Sequence, residues 1–196
     1  MNTRGQKVKE TRYLNIRAEQ SAESKDLILT GRAIVFNKST VIYDPFLGEY
    51  NEIILSGALD NADLTDVRLL YNHDTNKVPL ARTPKTLELT VDNEGLNFKA
   101  ILPNTETAKE VHTAVLRGDL TGCSFAFTIP DGGDTYDPET NTRTIHKINK
   151  VYECSVVVFP AYQETSVEAR SKQQELKNKH LAKKSALELI KTIIGA

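Results

Sequence analysis

The chain has no tryptophan, one methionine and only two cysteines among its 196 residues. Two cysteines make no disulfide framework, and nothing in the sequence implies an oxidising compartment. Cys123 and Cys154 are therefore read as small apolar residues on core strands. With the four histidines they show none of the close paired spacing of a structural zinc site, so neither a metal nor another cofactor is expected. A surplus of charge is missing too: 25 basic and 26 acidic side chains leave a formal net charge of -1. That lacks the basic footprint of a nucleic-acid binder, so no nucleic-acid partner is expected. No apolar run approaches the roughly 20 residues of a membrane-spanning helix, and no membrane partner is expected. The polar start, Met1-Asn2-Thr3-Arg4-Gly5-Gln6-Lys7, has no apolar segment of the kind a signal peptide needs.

What is present suits one globular domain with a sizeable core: 39% hydrophobic and 26% charged residues. Alternation of apolar and polar positions predicts strands at 13–18, 27–36, with Gly31 as a bulge or close approach, and 66–71. A short strand is expected at 52–55, followed by a helical turn capped by Ser56 and running through Leu59 and Ala62. Residues 86–91 and 96–102 alternate cleanly around Asp92-Asn93-Glu94-Gly95, the strongest hairpin signal in the chain. Ala108, Val111, Val115 and Leu116 recur at helical spacing, and Gly118 suits the end of that helix. A buried strand follows at 124–129, then a turn at 131–134. Segments 142–148 and 151–159 are expected to pair with each other across Asn149-Lys150. From 168 onward the composition turns to Lys, Glu, Gln, Leu and Ala, which predicts a helix ending near Gly195. The expected organisation is a β-rich α+β domain over 1–170 and a charged amphipathic C-terminal helix over 171–196. Short hairpin connections point to a closed or nearly closed antiparallel β-barrel with helices packed outside.

Three strings carry chemistry. They are Tyr71-Asn72-His73-Asp74, Gly122-Cys123-Ser124-Phe125-Ala126-Phe127 and Tyr152-Glu153-Cys154-Ser155-Val156-Val157-Val158-Phe159-Pro160-Ala161-Tyr162. Together they supply a hydroxyl, an imidazole and a carboxylate, the inventory of a nucleophile, a base and a group that orients the base. Each has a plainer meaning when taken alone. Ser124 can be a strand-start serine capped by backbone, His73 a surface-turn histidine, and Glu153 an outward-facing strand residue. Yet a carboxylate heading a valine run is costly to bury unless paired, and an imidazole N–H is a fitting partner. Alternation puts Glu153, Ser155 and Val157 on one face, and Cys154, Val156 and Val158 on the other.

The ordered combination is an apolar strand with Asn-His-Asp, then Gly-Asp-Leu-x-Gly-x-Ser-Phe, then Glu-x-Ser-Val-Val-x-Phe-Pro-Ala-Tyr. It resembles the prohead (capsid maturation) serine proteases of tailed bacteriophages, which are distantly similar to the herpesvirus capsid protease, assemblin. The resemblance extends over residues 15–169 and includes Leu29-Thr30-Gly31-Arg32-Ala33-Ile34-Val35-Phe36-Asn37. It implies a herpesvirus-protease-like fold and a serine endopeptidase working inside the assembling prohead, in the bacterial host cytoplasm. The implied substrates are scaffold, the scaffold-like segment of the major capsid protein, and the protease itself. A homodimer or higher self-association is also implied. Carried over to this sequence, Ser124 is the nucleophile, His73 the base and Glu153 the third member, with Asp74 as the alternative. Arg82 is a candidate contributor to an oxyanion site. A catalytically silent capsid-assembly factor on the same fold is the competing expectation, and a small-molecule-binding barrel a third.

Overall fold

Strand-forming alternation builds two sheets, with one helix packed on the larger, in the described residues, which are 10–20, 26–44 and 48–158 of a computed structural model. In chain order the strands are β1 (Glu10–Gln20), β2 (Leu27–Val35), β3 (Thr40–Asp44), β4 (Gly48–Ile54), β5 (Arg68–Tyr71), β6 (Ala81–Arg82), β7 (Leu87–Asp92), β8 (Gly95–Leu102), β9 (Gly122–Thr128), β10 (Asp134–Asp137), β11 (Thr142–Ile145) and β12 (Lys150–Val157). The helix α1 (Glu106–Arg117) lies between β8 and β9. The larger sheet has the order β6-β5-β12-β9-β1-β2-β8-β7 and the smaller β10-β11-β4-β3. Strand β1 joins the two halves of the larger sheet: residues 10–15 pair with β9, and 16–20 pair with β2. Pairing is antiparallel except for β5 with β12 and β4 with β11.

The β7–β8 hairpin forms where the sequence predicts it. Asp92 Oδ1 accepts the amides of Glu94 (2.8 Å) and Gly95 (2.9 Å) and closes the turn. Gly95 has φ 154°, and a Cβ there would collide with the carbonyl oxygen of Ile34. Only glycine lets the start of β8 lie this close to β2. Helix α1 is capped at its start by Thr105 Oγ1, which accepts the Ala108 amide (3.4 Å), and at its end by Gly118 in the left-handed region, φ 81°. Its buried face, Ala108, Val111, His112 and Val115, packs on the sheet. Burying each valine stabilises by about 1.5–3 kcal/mol. The core is a single cluster. It includes Leu29, Leu69, Leu96, Phe125, Val151 and Val156 of the larger sheet and Ile54 and Ile145 of the smaller.

Several expectations differ from the structure. The barrel is not closed by pairing: the end strands β6 and β7 form no ladder with each other among the described residues. One helix, rather than several, packs on the described sheet. The segment after Ser56 is a run of turns, with Ala58, Asp60 and Ala62 amides donating to carbonyls three residues earlier. Gly31 pairs regularly with Ile16 and Phe98; the irregularity in β2 falls between Arg32 and Ile34.

Strands β11 and β12 do not pair with each other. Strand β11 runs parallel to β4, with Arg143 opposite Glu52. The Arg143 guanidinium reaches Glu52 Oε2 (3.3 Å) and Asp134 Oδ2 (2.6 Å), and all three residues are buried. Those buried charges need one another, and they hold β11 in the smaller sheet. The chain then crosses at residues 146–149 to enter β12. The predicted C-terminal helix, 171–196, and the Phe159-Pro160-Ala161-Tyr162 string lie outside the described residues.

Candidate active site

The three chemical strings lie on three adjacent strands. Strand β12 is in the middle, with β5 parallel on one side and β9 antiparallel on the other. Ser155 lies directly opposite Ser124, and Glu153 opposite Ala126. Residues paired across a ladder share a face. Ser124, Ala126, Glu153 and Ser155 therefore occupy one face, while Cys123, Phe125, Cys154 and Val156 fill the core on the other.

Glu153 reaches the site face through an irregularity that alternation alone does not show. Val151 pairs with Phe127 and belongs to the core, and the register shifts between Val151 and Glu153, making Tyr152 the extra residue. With an uninterrupted period of two, Val151 and Glu153 would share a face. The bulge turns the carboxylate to the opposite face, the re-aiming that β-bulges provide. The bulge is flanked by Lys150, whose ammonium lies 5.5 Å from the Tyr152 ring centroid and 2.6 Å from Asp63 Oδ2. The hydrogen bond from Lys150, with support from Thr65, holds the Asp63 carboxyl well below the usual carboxylate range.

His73 is positioned by the turn that ends β5. Asn72 and His73 both have positive φ, 55° and 59°, and the Asp74 amide donates to the Tyr71 carbonyl (3.1 Å). Non-glycine residues rarely adopt this conformation, although asparagine and histidine tolerate it better than most. Asn72 ties the turn to β12. Its amide donates to the Val156 carbonyl (2.8 Å), and its Oδ1 accepts the Val158 amide (3.3 Å). The turn brings His73 Nδ1 to 2.7 Å from Glu153 Oε1. The Glu153 side chain is 4% exposed and that of His73 28%. A buried carboxylate at this distance fixes the proton of the neutral imidazole on Nδ1, an assignment made from the hydrogen-bond partner.

Ser124 has no exposed surface, and its hydroxyl has no hydrogen-bond partner among the described residues. It is one strand away from the His73–Glu153 pair, on the same face of the sheet. Asp74, the alternative third member, uses Oδ1 to accept the Asn76 amide (2.9 Å). Arg82 is on β6, separated from β9 by β5 and β12, and its Nε donates to Asp66 Oδ1 (2.7 Å). That places Arg82 three strands from Ser124, which does not support an oxyanion contribution. The other described histidines lie elsewhere: His112 is buried in α1, and His146 Nε2 is 2.8 Å from Thr135 Oγ1. His180 is outside the described residues.

Both cysteines are free and buried in the core, as expected for small apolar strand residues. Burial pushes the Cys123 thiol up to about 12 and the Cys154 thiol well above its ordinary value, so neither supplies a thiolate. Beside the pair is a groove of about 290 Å³ whose lining includes Arg68, Leu70, Lys77, Pro79, Tyr152 and Glu153.

Of the residues expected from the sequence, His73 and Glu153 are brought together and Ser124 lies one strand away, while the Tyr152 bulge and the anchoring role of Asn72 were not expected. The Asn-His pair after an apolar strand carried a local signal for the positive-φ turn. The bulge had none.

Comparison with known proteins bears on the same strands. The family model described as caudovirus prohead serine protease matches residues 12–180. No curated protein and no solved structure matches the chain at a significant level.

Proposed function

Because the chain belongs to the caudovirus prohead serine protease family, we propose that it is a serine endopeptidase of capsid maturation with His73, Ser124 and Glu153 as its catalytic set. The observation that carries this reading is the 2.7 Å bond between His73 Nδ1 and Glu153 Oε1, formed one strand away from Ser124 on the same face. Glu153 orients the imidazole and stabilises it when protonated. His73 Nε2 takes the proton of Ser124 as Oγ bonds to the scissile carbonyl carbon. The tetrahedral intermediate expels the amine, which receives that proton from His73. Water then attacks the acyl-enzyme by the reverse transfers, releasing the acid and restoring Ser124. The part-exposed His73 marks the side from which a peptide reaches the serine. In this reading the substrates are scaffold, the scaffold-like segment of the major capsid protein, and the protease itself, all within the assembling prohead. The resemblance also implies a dimer, which sedimentation of the purified chain tests.

One observation favours the competing reading, a silent assembly factor: Ser124 is fully covered in this conformation. Incubating the purified protein and following its mass separates the two. Defined fragments from the wild type and none from Ser124→Ala support the protease. An intact wild type, alone and with capsid protein from the same phage, supports the silent factor.

A further inference from the structure

Three hydroxyls on the site face of the sheet are buried without a hydrogen-bond partner among the described residues: Ser124, Thr128 and Ser155. Buried hydroxyls are normally satisfied, and one left without a partner weakens the fold. Thr128 lies opposite Lys150, four residues along β9 from Ser124, or about 13 Å away at the rise of a strand. Ser155 is different. It is the direct register partner of the proposed nucleophile. Opposed residues on one face have Cβ atoms about 4.5–5.5 Å apart, so rotation about one side-chain torsion brings the two hydroxyls within bonding reach. Both side chains have no exposed surface, so nothing in the bulk solvent competes for the pair. Ser155 is also two residues from Glu153 on the same face of β12.

We propose that Ser155 is a positioning residue for the nucleophile, its hydroxyl donating to Ser124 Oγ. This rests on the protease reading above. Ser124 gives its own proton to His73 Nε2, while its oxygen accepts from Ser155. The donated bond fixes the side-chain torsion of Ser124 so that a lone pair faces the incoming carbonyl. It also stabilises the negative charge that grows on Oγ as the proton departs, and it strengthens in a dry site. Strand β12 then serves both partners of the reaction, holding the base through Glu153 and the nucleophile through Ser155. Because the bond acts during proton transfer and attack, it raises the rate of the chemical step and leaves initial binding unchanged.

The test compares wild type, Ser124→Ala, Ser155→Ala, Ser155→Cys and Ser155→Thr in saturation labelling with an uncharged fluorophosphonate. In that reaction Ser124 Oγ bonds to phosphorus, fluoride leaves, and the serine proton passes to His73. Wild type should label and Ser124→Ala should not. Ser155→Ala should lower the maximal labelling rate roughly tenfold with the half-saturating concentration unchanged, the loss expected for one hydrogen bond made in the transition state. Its melting temperature should stay close to that of the wild type, because the bond matters most as charge grows on Oγ and one neutral hydrogen bond contributes little to the resting fold. A merely structural serine would give the opposite pair of results. Ser155→Thr keeps a hydroxyl and should recover part of the rate. Ser155→Cys, nearly the same shape with a weak donor, should resemble Ala and serves if the Ala variant fails to fold. A Ser155→Ala or Ser155→Cys protein that labels at the wild-type rate overturns the proposal and leaves the protease standing. Absence of Ser124-dependent labelling in the wild type overturns both.

Discussion

Replacing Glu153 by Gln removes one charge and almost no volume, at a side chain that is 4% exposed and 2.7 Å from the His73 ring. In the resting enzyme this costs little stability, because a buried carboxylate is itself expensive to keep charged. In the transition state the imidazole carries the serine proton, and the carboxylate then faces a cation. A hydrogen bond to a charged group contributes about 1.5–3 kcal/mol, which converts to roughly 10- to 150-fold in rate. The amide adds a second penalty. Its NH2 can donate to Nδ1 and place the ring proton on Nε2, the nitrogen that must accept from Ser124. Inverting the tautomer by the corresponding change in a serine protease lowers kcat about 10⁴-fold. Glu153→Gln should therefore reduce turnover by between about 10²- and 10⁴-fold, with a melting temperature close to the wild type. The assay is release of defined fragments from capsid or scaffold protein, repeated in a His73→Ala background. There the same change should have almost no effect, because the group it orients is gone. Asp74→Asn should have a small effect, since Asp74 caps its own turn through Asn76. Wild-type turnover in Glu153→Gln, or an equal loss with and without His73, would refute the role assigned to this carboxylate. A larger loss in Asp74→Asn would transfer the role to Asp74.

Other perturbations probe the frame that holds the site. Cys123, with its thiol pushed up to about 12, and Cys154 beside it in the core should resist Ellman's reagent at pH 8 and react only after unfolding in urea. Fast labelling of the native protein would contradict the core placement. Arg143→Met strands the buried carboxylates of Glu52 and Asp134 and should cost about 3–5 kcal/mol, read from the urea midpoint. A change under about 1 kcal/mol would show that the cluster does not hold β11 in place. Gly95→Ala, whose new Cβ meets the Ile34 carbonyl, should be far more damaging than Gly118→Ala, which meets nothing within 4 Å. The latter should lose only about 1–2 kcal/mol for the left-handed backbone, and equal losses would contradict the close approach of β8 to β2.

Local pattern was enough wherever local chemistry decides the outcome. The Asp92-to-Gly95 hairpin, helix α1 with Thr105 and Gly118 at its ends, and the apolar strands β5, β9 and β12 could all be read from neighbouring residues. The three strings of the candidate site were legible too, and the structure puts them on adjacent strands. What escaped depends on partners distant in sequence. Strand β11 alternates as well as any strand that pairs with β12, and its place in the smaller sheet depends on partners such as Glu52, 91 residues earlier, which takes the buried bond from Arg143. The bulge at Tyr152 is defined by its register against Phe127 and Ala126. The two tethers from Asn72 are to Val156 and Val158, more than 80 residues downstream. Barrel closure was not legible for a related reason: strand count and hairpin length do not say whether the two end strands meet.

Mapping the adduct of a fluorophosphonate probe by tandem mass spectrometry tests most directly whether these three strands form a catalytic site. The prediction is one modified residue, Ser124, in the native wild type, with no adduct after denaturation and labelling slowed by orders of magnitude in His73→Ala. An adduct on any other residue, or equal labelling of Ser124 in the native and unfolded protein, would contradict it.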